Sequence, residues 1–333
     1  MKSATQRRGH ADCADRARAG HTDRVHTHGS SNGQQSAVGA ATVWLLGSAG
    51  QLGTAMRNRA PDGVRIRPLT SDDIDLTEAA SVTAALRGIA AGDIVVNAAA
   101  YTAVDRAESE PDRARAVNGV APGLLGEITA QASAWLIHVS TDYVFTDPAG
   151  VRRTPYEPDD TDPEATPASV YGATKRSGEI AALTADPGAT VVRTAWVYTG
   201  GPDSSDFVGT MRRLEQARDT VSVVDDQTGS PTYAPDLADG LWELVLAGPR
   251  PQFAGVILHA TNAGSVTWFE VARAVFAGVG ADPERVRPCS TSEFPRPAPR
   301  PAYSVLSPRS WIDAGLTPFR TWSAALDDAL TAR

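Results

Sequence analysis

The sequence predicts an α/β protein, with a doubly wound parallel sheet and a smaller C-terminal domain. Three observations carry this. Short apolar runs alternate with helical patterns from Thr42 to Thr194, as a series of β-α-β units requires. One run, Asp93–Ala98 (DIVVNA), has the unbroken apolar character of a strand covered on both faces. The first run, Thr42–Leu46, passes directly into Gly47-Ser-Ala-Gly50-Gln-Leu-Gly53, a turn that opens a helix.

In chain order, Thr42–Leu46 and Val64–Leu69 read as strands, and Thr77–Ala90 as a helix capped by Thr77. Asp93–Ala98 is a strand, and Pro111–Ala134 a helix with a break near Pro122. Trp135–Ser140 is a second buried strand, Val170–Thr184 a helix and Thr190–Thr194 a strand. Residues 146–168 are rich in Pro, Asp and Thr and read as a loop. Beyond 197 the pattern changes. A helix over Phe207–Arg218, a turn-rich stretch over Asp225–Pro235, and helices at 236–247, 267–279 and 322–332 follow. The expected organisation is a tail over 1–41, a dinucleotide-type domain over 42–197, and a mainly substrate-binding domain over 198–333. Part of 221–260 is expected to return to the first domain.

A net charge of -8 argues against a nucleic-acid or membrane-surface binder, since phosphates would be repelled. No apolar run reaches the ~18 residues of a membrane span. Two cysteines, Cys13 and Cys289, are too few for a disulfide framework and fit a reducing, cytoplasmic compartment. The first 41 residues carry His10, His21, His26 and His28 without acidic or thiol ligands beside them. That stretch reads as a disordered extension, or as sequence upstream of the true start, rather than a metal tract.

In Gly47–Gly53 the glycines permit a tight turn and close approach of backbone to a pyrophosphate, and the following helix presents free N–H groups to the anion. Strand before and helix after supply the context such a motif needs, and the fold is then Rossmann-type. The second strand ends in Leu69-Thr70-Ser71, without the acid that would hold a ribose hydroxyl. This tilts the expected cofactor toward NADPH and leaves NADH open. Asp75 and Leu76 either face the adenine or simply begin the next helix.

Tyr171-Gly-Ala-Thr-Lys175 places a phenol and an ammonium on one helical face. A free phenol titrates near 10, and a nearby ammonium favours its phenolate. Thr141, at the carboxyl end of the strand Trp135–Ser140, sits where open α/β sheets bind ligands. A hydroxyl there can orient a carbonyl against the Tyr171 proton. Thr141, Tyr171 and Lys175 are therefore the expected catalytic residues of a reductase.

Seven segments together resemble the extended short-chain dehydrogenase/reductases, and among them the dTDP-4-dehydrorhamnose reductase family. They are Gly47–Gly53, Asn97-Ala-Ala-Ala-Tyr-Thr-Ala-Val-Asp105, Ser140–Phe145 (STDYVF), Tyr171–Lys175, Arg193-Thr-Ala-Trp-Val-Tyr198, Asp226-Gln-Thr-Gly-Ser-Pro-Thr232 and Arg300-Pro-Ala-Tyr-Ser304. The resemblance runs from Gly47 to near the C-terminus. It implies reduction of the C4 ketone of a nucleotide-linked sugar by NAD(P)H, with Tyr171 as proton donor. It also implies cofactor contacts from Gly47, Gly50, Gln51, Leu52, Gly53, Ala99, Ala100, Tyr101 and Thr102, together with Tyr171 and Lys175. Sugar contacts are implied for Val104, Thr141, Asp142 and Trp196. Trp196 either stacks on the sugar or is a core residue; Arg300 either meets the pyrophosphate or is a rim charge. The glutamate that some members use for Mg²⁺ is replaced by Thr54-Ala55, so no metal ligand is assigned and Mg²⁺ and a homodimer stay open. A dehydratase would carry glutamate where Tyr143 stands, which counts against dehydration. An epimerase of the same fold and a non-catalytic regulatory subunit are the competing readings.

Overall fold

The computed structural model describes residues 41–147 and 150–331; the histidine-bearing tail lies outside them. Along the first half run β1 (Thr42–Leu46), α1 (Gln51–Asn58), β2 (Arg65–Leu69), α2 (Ala79–Ala85), β3 (Ile94–Asn97), α3 (Val104–Ala107) and α4 (Pro111–Ala114). Then come a π-helical turn (Arg115–Val120), α5 (Ala121–Ala132), β4 (Trp135–Thr141), α6 (Val170–Ala185) and β5 (Thr190–Thr194). The second half holds β6 (Val197–Tyr198), α7 (Phe207–Ala217), β7 (Val221–Val224), β8 (Thr228–Gly229), β9 (Thr232–Tyr233), α8 (Ala234–Ala247) and β10 (Val256–His259). It closes with β11 (Val266–Thr267), α9 (Trp268–Gly278), β12 (Val286–Cys289), α10 (Arg309–Asp313) and α11 (Trp322–Thr331). No helix among the described residues is long and apolar enough to cross a membrane.

Six strands form one parallel sheet in the order β10-β5-β4-β3-β1-β2. The chain reverses direction across the sheet between β1 and β3, the switch point where open α/β sheets bind ligands. Alternation along β1 serves both faces. Val43 and Leu45 pack with Ile94, Val96, Ile137 and the residues of α1 and α8. Trp44 and Leu46 pack with Val82, Leu86, Leu125 and Ala182 from the helices opposite. Each such side chain fully removed from water contributes about 1.5–3 kcal/mol.

A second core lies between α7, α9 and α11, with Met211, Val223, Val275, Phe276 and Leu326 at its centre. The parallel pair β7–β12 edges it. The segment from α8 to β10 instead returns to the main sheet, where β10 pairs with β5.

Two expected helices differ. The one over Thr77–Ala90 spans only Ala79–Ala85, because Thr77 does not cap it. Its hydroxyl and amide both donate to Asp75 Oδ1, at 2.7 and 2.9 Å, closing a local turn that competes with the helix. Pro122 does not break the helix over Pro111–Ala134. It sits in the first turn of α5, where no N–H is needed, and the irregularity is the π turn before it. Beside that turn, Gly178 of α6 passes the Asn118 carbonyl so closely that a Cβ would lie 2.0 Å from the oxygen.

Candidate active site

The phosphate turn follows from two glycines. Gly47 has φ +75°, and a Cβ on it would lie 2.7 Å from the Ala99 amide nitrogen. A Cβ on Gly53 would lie 2.2 Å from the Gly47 carbonyl oxygen. Only bare backbone brings the β1 turn, the first turn of α1 and the segment after β3 this close. Gly50 makes no side-chain cap and α1 has no acid in its first turn, so the N–H groups of Gln51, Leu52 and Gly53 are left for an anion. Ala99 donates its N–H to Asn97 Oδ1 at 3.2 Å. Tyr101 is held through its N–H and carbonyl by the Asn118 side chain, at 2.8 and 3.1 Å. Thr102 follows, exposed. This cradle fits a dinucleotide pyrophosphate.

At the end of β2 the structure adds an acid that strand register did not supply. Asp73 accepts from the Thr70 N–H and hydroxyl, both at 2.8 Å, which lowers its pKa. Asp75 is exposed and bonded to Thr77, while Leu76 packs beneath α2.

The second half of the site forms where β4 ends and α6 begins. Ser169 caps α6 by accepting the Gly172 N–H at 3.1 Å, and Glu108 accepts the Val170 N–H at 2.9 Å. A Cβ on Gly172 would lie 2.3 Å from the Tyr143 carbonyl oxygen. This close approach seats the first turn of α6 on the strand-end segment, bringing Tyr171 beside Thr141 and Tyr143. The Thr141 hydroxyl donates to Asp142 Oδ1 at 3.0 Å and lies near enough to the Tyr171 phenol to favour its ionised form.

Burial dominates the titration of this cluster. It pushes Tyr171 up to about 12, against the hydrogen bond with Thr141. The phenol is thus held protonated rather than drawn toward phenolate, as the Tyr–Lys spacing alone suggests. Burial also raises Asp142 to about 6, partly offset by the Ser304 and Thr141 hydroxyls. It lowers Lys175 to about 8, opposed by the Glu179 charge. Lys175 Nζ donates to Val139 O at 2.7 Å and lies 3.3 Å from His138 Nε2.

Beside the cluster is a cavity of about 500 Å³, with Asp142, Tyr143, Tyr156, Ser169, Arg300 and Tyr303 in its wall. Arg300 pairs with Asp105 at 2.9 Å and donates to Ala298 O at 2.8 Å. Val104 begins α3 and does not line this cavity. Nor does Trp196, which has φ +48° and is stacked on Trp268 with centroids 3.5 Å apart. Its indole also lies flush against Gly229. Among the described residues, no three His, Cys, Asp or Glu side chains gather to hold a metal ion.

Sequence reasoning missed Asp105, Tyr303 and Ser304, although two of its seven segments contain them. It also passed over Asn97 and His138. A histidine inside the apolar run WLIHVST was the available signal, since buried polar groups need partners.

A dinucleotide cradle at the switch point and a strand-end threonine beside a helical tyrosine with a lysine one turn on define a short-chain dehydrogenase/reductase. The model for the RmlD substrate binding domain matches residues 41–333, and the chain belongs to that family. It is 51% identical over 89% of its length to the dTDP-4-dehydrorhamnose reductase of Mycolicibacterium smegmatis, covering 86% of that protein. It is 52% identical over 86% of its length to the reductase of the same name from Mycobacterium tuberculosis H37Rv, covering 92% of it. A crystal structure of dTDP-4-dehydrorhamnose reductase from Bacillus anthracis in complex with NADP superimposes with a TM-score of 0.78 at 31% identity, covering 87% of this chain and 99% of that one.

Proposed function

We propose that this chain reduces the C4 ketone of dTDP-4-dehydro-β-L-rhamnose to the hydroxyl of dTDP-L-rhamnose, the last step in making that sugar nucleotide. The observation that carries the reading is the buried cluster of Tyr171, Thr141 and Asp142, in which Thr141 donates to Asp142 at 3.0 Å, set beside a cavity with Arg300 in its wall. NADPH, when bound, supplies the hydride. Gly47, Gly50, Gln51, Leu52 and Gly53 hold its pyrophosphate, with Ala99, Ala100, Tyr101 and Thr102 alongside. The substrate carbonyl accepts the Tyr171 proton. Thr141 Oγ1–H then turns to the same oxygen as charge develops on it, so two donors meet one alkoxide. Tyr171 ends as phenolate, and the Lys175 ammonium offsets that charge. Asp142 and Arg300 orient the sugar nucleotide, while Val104 and Trp196 stand outside the cavity wall. The module around the second core, residues 198–333 apart from α8 to β10, serves as the substrate domain.

The test is NADPH oxidation with enzymatically prepared dTDP-4-dehydrorhamnose, comparing wild type with Tyr171→Phe. The variant is expected to lose at least about 100-fold in kcat. Near-wild-type turnover overturns the role of Tyr171. Absence of turnover by folded wild type overturns the reading itself.

A further inference from the structure

Lys175 shares its buried position with a second base. His138 lies within β4, fully buried. Its Nε2 is 3.3 Å from Lys175 Nζ and its Nδ1 is 3.0 Å from Asn97 Nδ2. In this structure the orientation of the Asn97 amide is set from its far end, because the Ala99 backbone N–H donates to Oδ1. An amide nitrogen at that place would set donor against donor. Asn97 therefore turns its N–H groups to His138 Nδ1, which must be the bare nitrogen. A neutral imidazole then carries its proton on Nε2, facing Lys175. A neutral amine accepts a hydrogen bond from that N–H; an ammonium, with three donors and no acceptor, does not. Asn97 and the Lys175 ammonium make opposite demands on one ring.

We propose that His138 is a positioning residue that couples the charge of Lys175 to the orientation of the Asn97 amide. With Asn97 bonded to Ala99, the imidazole offers Nε2–H and favours the neutral amine. When Lys175 takes a proton from solvent, the imidazole proton moves to Nδ1. Asn97 then turns its amide, giving up the Ala99 bond. The net change is one proton gained at Lys175, with the ring neutral in both states.

Other charges around Lys175 do not supply this coupling. Glu179, one turn along α6, is clamped by Arg193 of β5 at 2.8 and 2.7 Å. From the π turn, α6 receives the neutral Asn118 side chain, 3.4 Å from Thr174 Oγ1. Tyr171, one turn back, is a phenol that burial holds protonated. Burial alone already draws Lys175 down, and it draws His138 well below its ordinary range, so the ring stays neutral. The segment Asn97–Thr102 also carries the proposed cofactor contacts, so the state of Lys175 is transmitted to them through Ala99. This last consequence rests on the reductase reading, whereas the tautomer coupling does not.

The experiment is ¹⁵N NMR of the full chain with labelled histidine and without cofactor or sugar, across pH 6.5 to 9.5. His138→Gln identifies the His138 signals. The expected result is an Nε2–H imidazole at high pH that gives way to Nδ1–H as Lys175 gains its proton. One tautomer at every pH, or an imidazolium, overturns the coupling. In activity, Gln can aim an amide oxygen at Lys175 and should raise the alkaline limb of kcat by about one pH unit. His138→Leu offers no acceptor and should lower it. Should the leucine variant not fold, the wild-type NMR titration and the glutamine variant decide. A tautomer switch with an unmoved limb in His138→Gln supports the coupling and overturns the role of Lys175 in reduction.

Discussion

Tyr143 meets Tyr171 edge to face, with ring centroids 5.4 Å apart and planes 76° from parallel. Tyr143 also lines the cavity, and its phenol is held protonated by burial and the Asp142 charge. Such a contact contributes about 0.5–1.5 kcal/mol and, here, fixes the ring that must deliver a proton. Tyr143→Ala should lower kcat about tenfold or more by loosening that ring. Tyr143→Phe keeps the contact and should retain most of kcat. Steady-state kinetics of the two variants check this, and equal losses would place the effect in the hydroxyl instead.

Lys175 makes opposite contributions to stability and activity. An unfolded lysine keeps its proton to about 10.5, but Lys175 in the folded chain keeps it only to about 8. Between those values the unfolded state binds more protons, so stability rises with pH there. Below pH 8 both states are charged and the full penalty of burial applies. Lys175→Met should therefore raise Tm more at pH 6 than at pH 9.5, while turnover is lost. Calorimetry at the two pH values checks the sign. For the wild type, turnover should decline as pH rises through about 8 and the ammonium is lost.

Arg300 is free to bind substrate only in part, because Asp105 already holds one edge of its guanidinium. That pairing sets the fork in place at the cavity wall. Arg300→Ala should raise KM for the sugar nucleotide about tenfold, since charge-assisted bonds are the strong ones, with little change in kcat. An unchanged KM would remove Arg300 from the substrate contacts.

Gly53 and Gly201 form a matched pair. Alanine at 53 would drive its Cβ against the Gly47 carbonyl, whereas nothing lies within 4 Å of one at 201. Gly53→Ala should cost about 1–3 kcal/mol and weaken NADPH binding. Gly201→Ala should stay within about 0.5 kcal/mol of wild type. Urea unfolding and cofactor titration by fluorescence measure both.

Local sequence determined what depends on near neighbours. The apolar runs of β1, β3 and β4 are legible because both faces of a parallel strand are buried, and Gly47–Gly53 is legible because only glycine permits that turn. Tyr171 and Lys175 are legible because four residues make one helical turn. Tertiary structure decided what depends on strands and helices far apart in the chain. It set Gly172 against the Tyr143 carbonyl, which brings Tyr171 to Thr141, and it raised the phenol by burial where spacing alone suggested the reverse. It turned the end of β2 acidic through Asp73, tied Arg300 to Asp105, and placed His138 between Lys175 and Asn97. Burial and hydrogen bonding act through space, and no periodicity in the chain encodes which distant partner a polar side chain will meet.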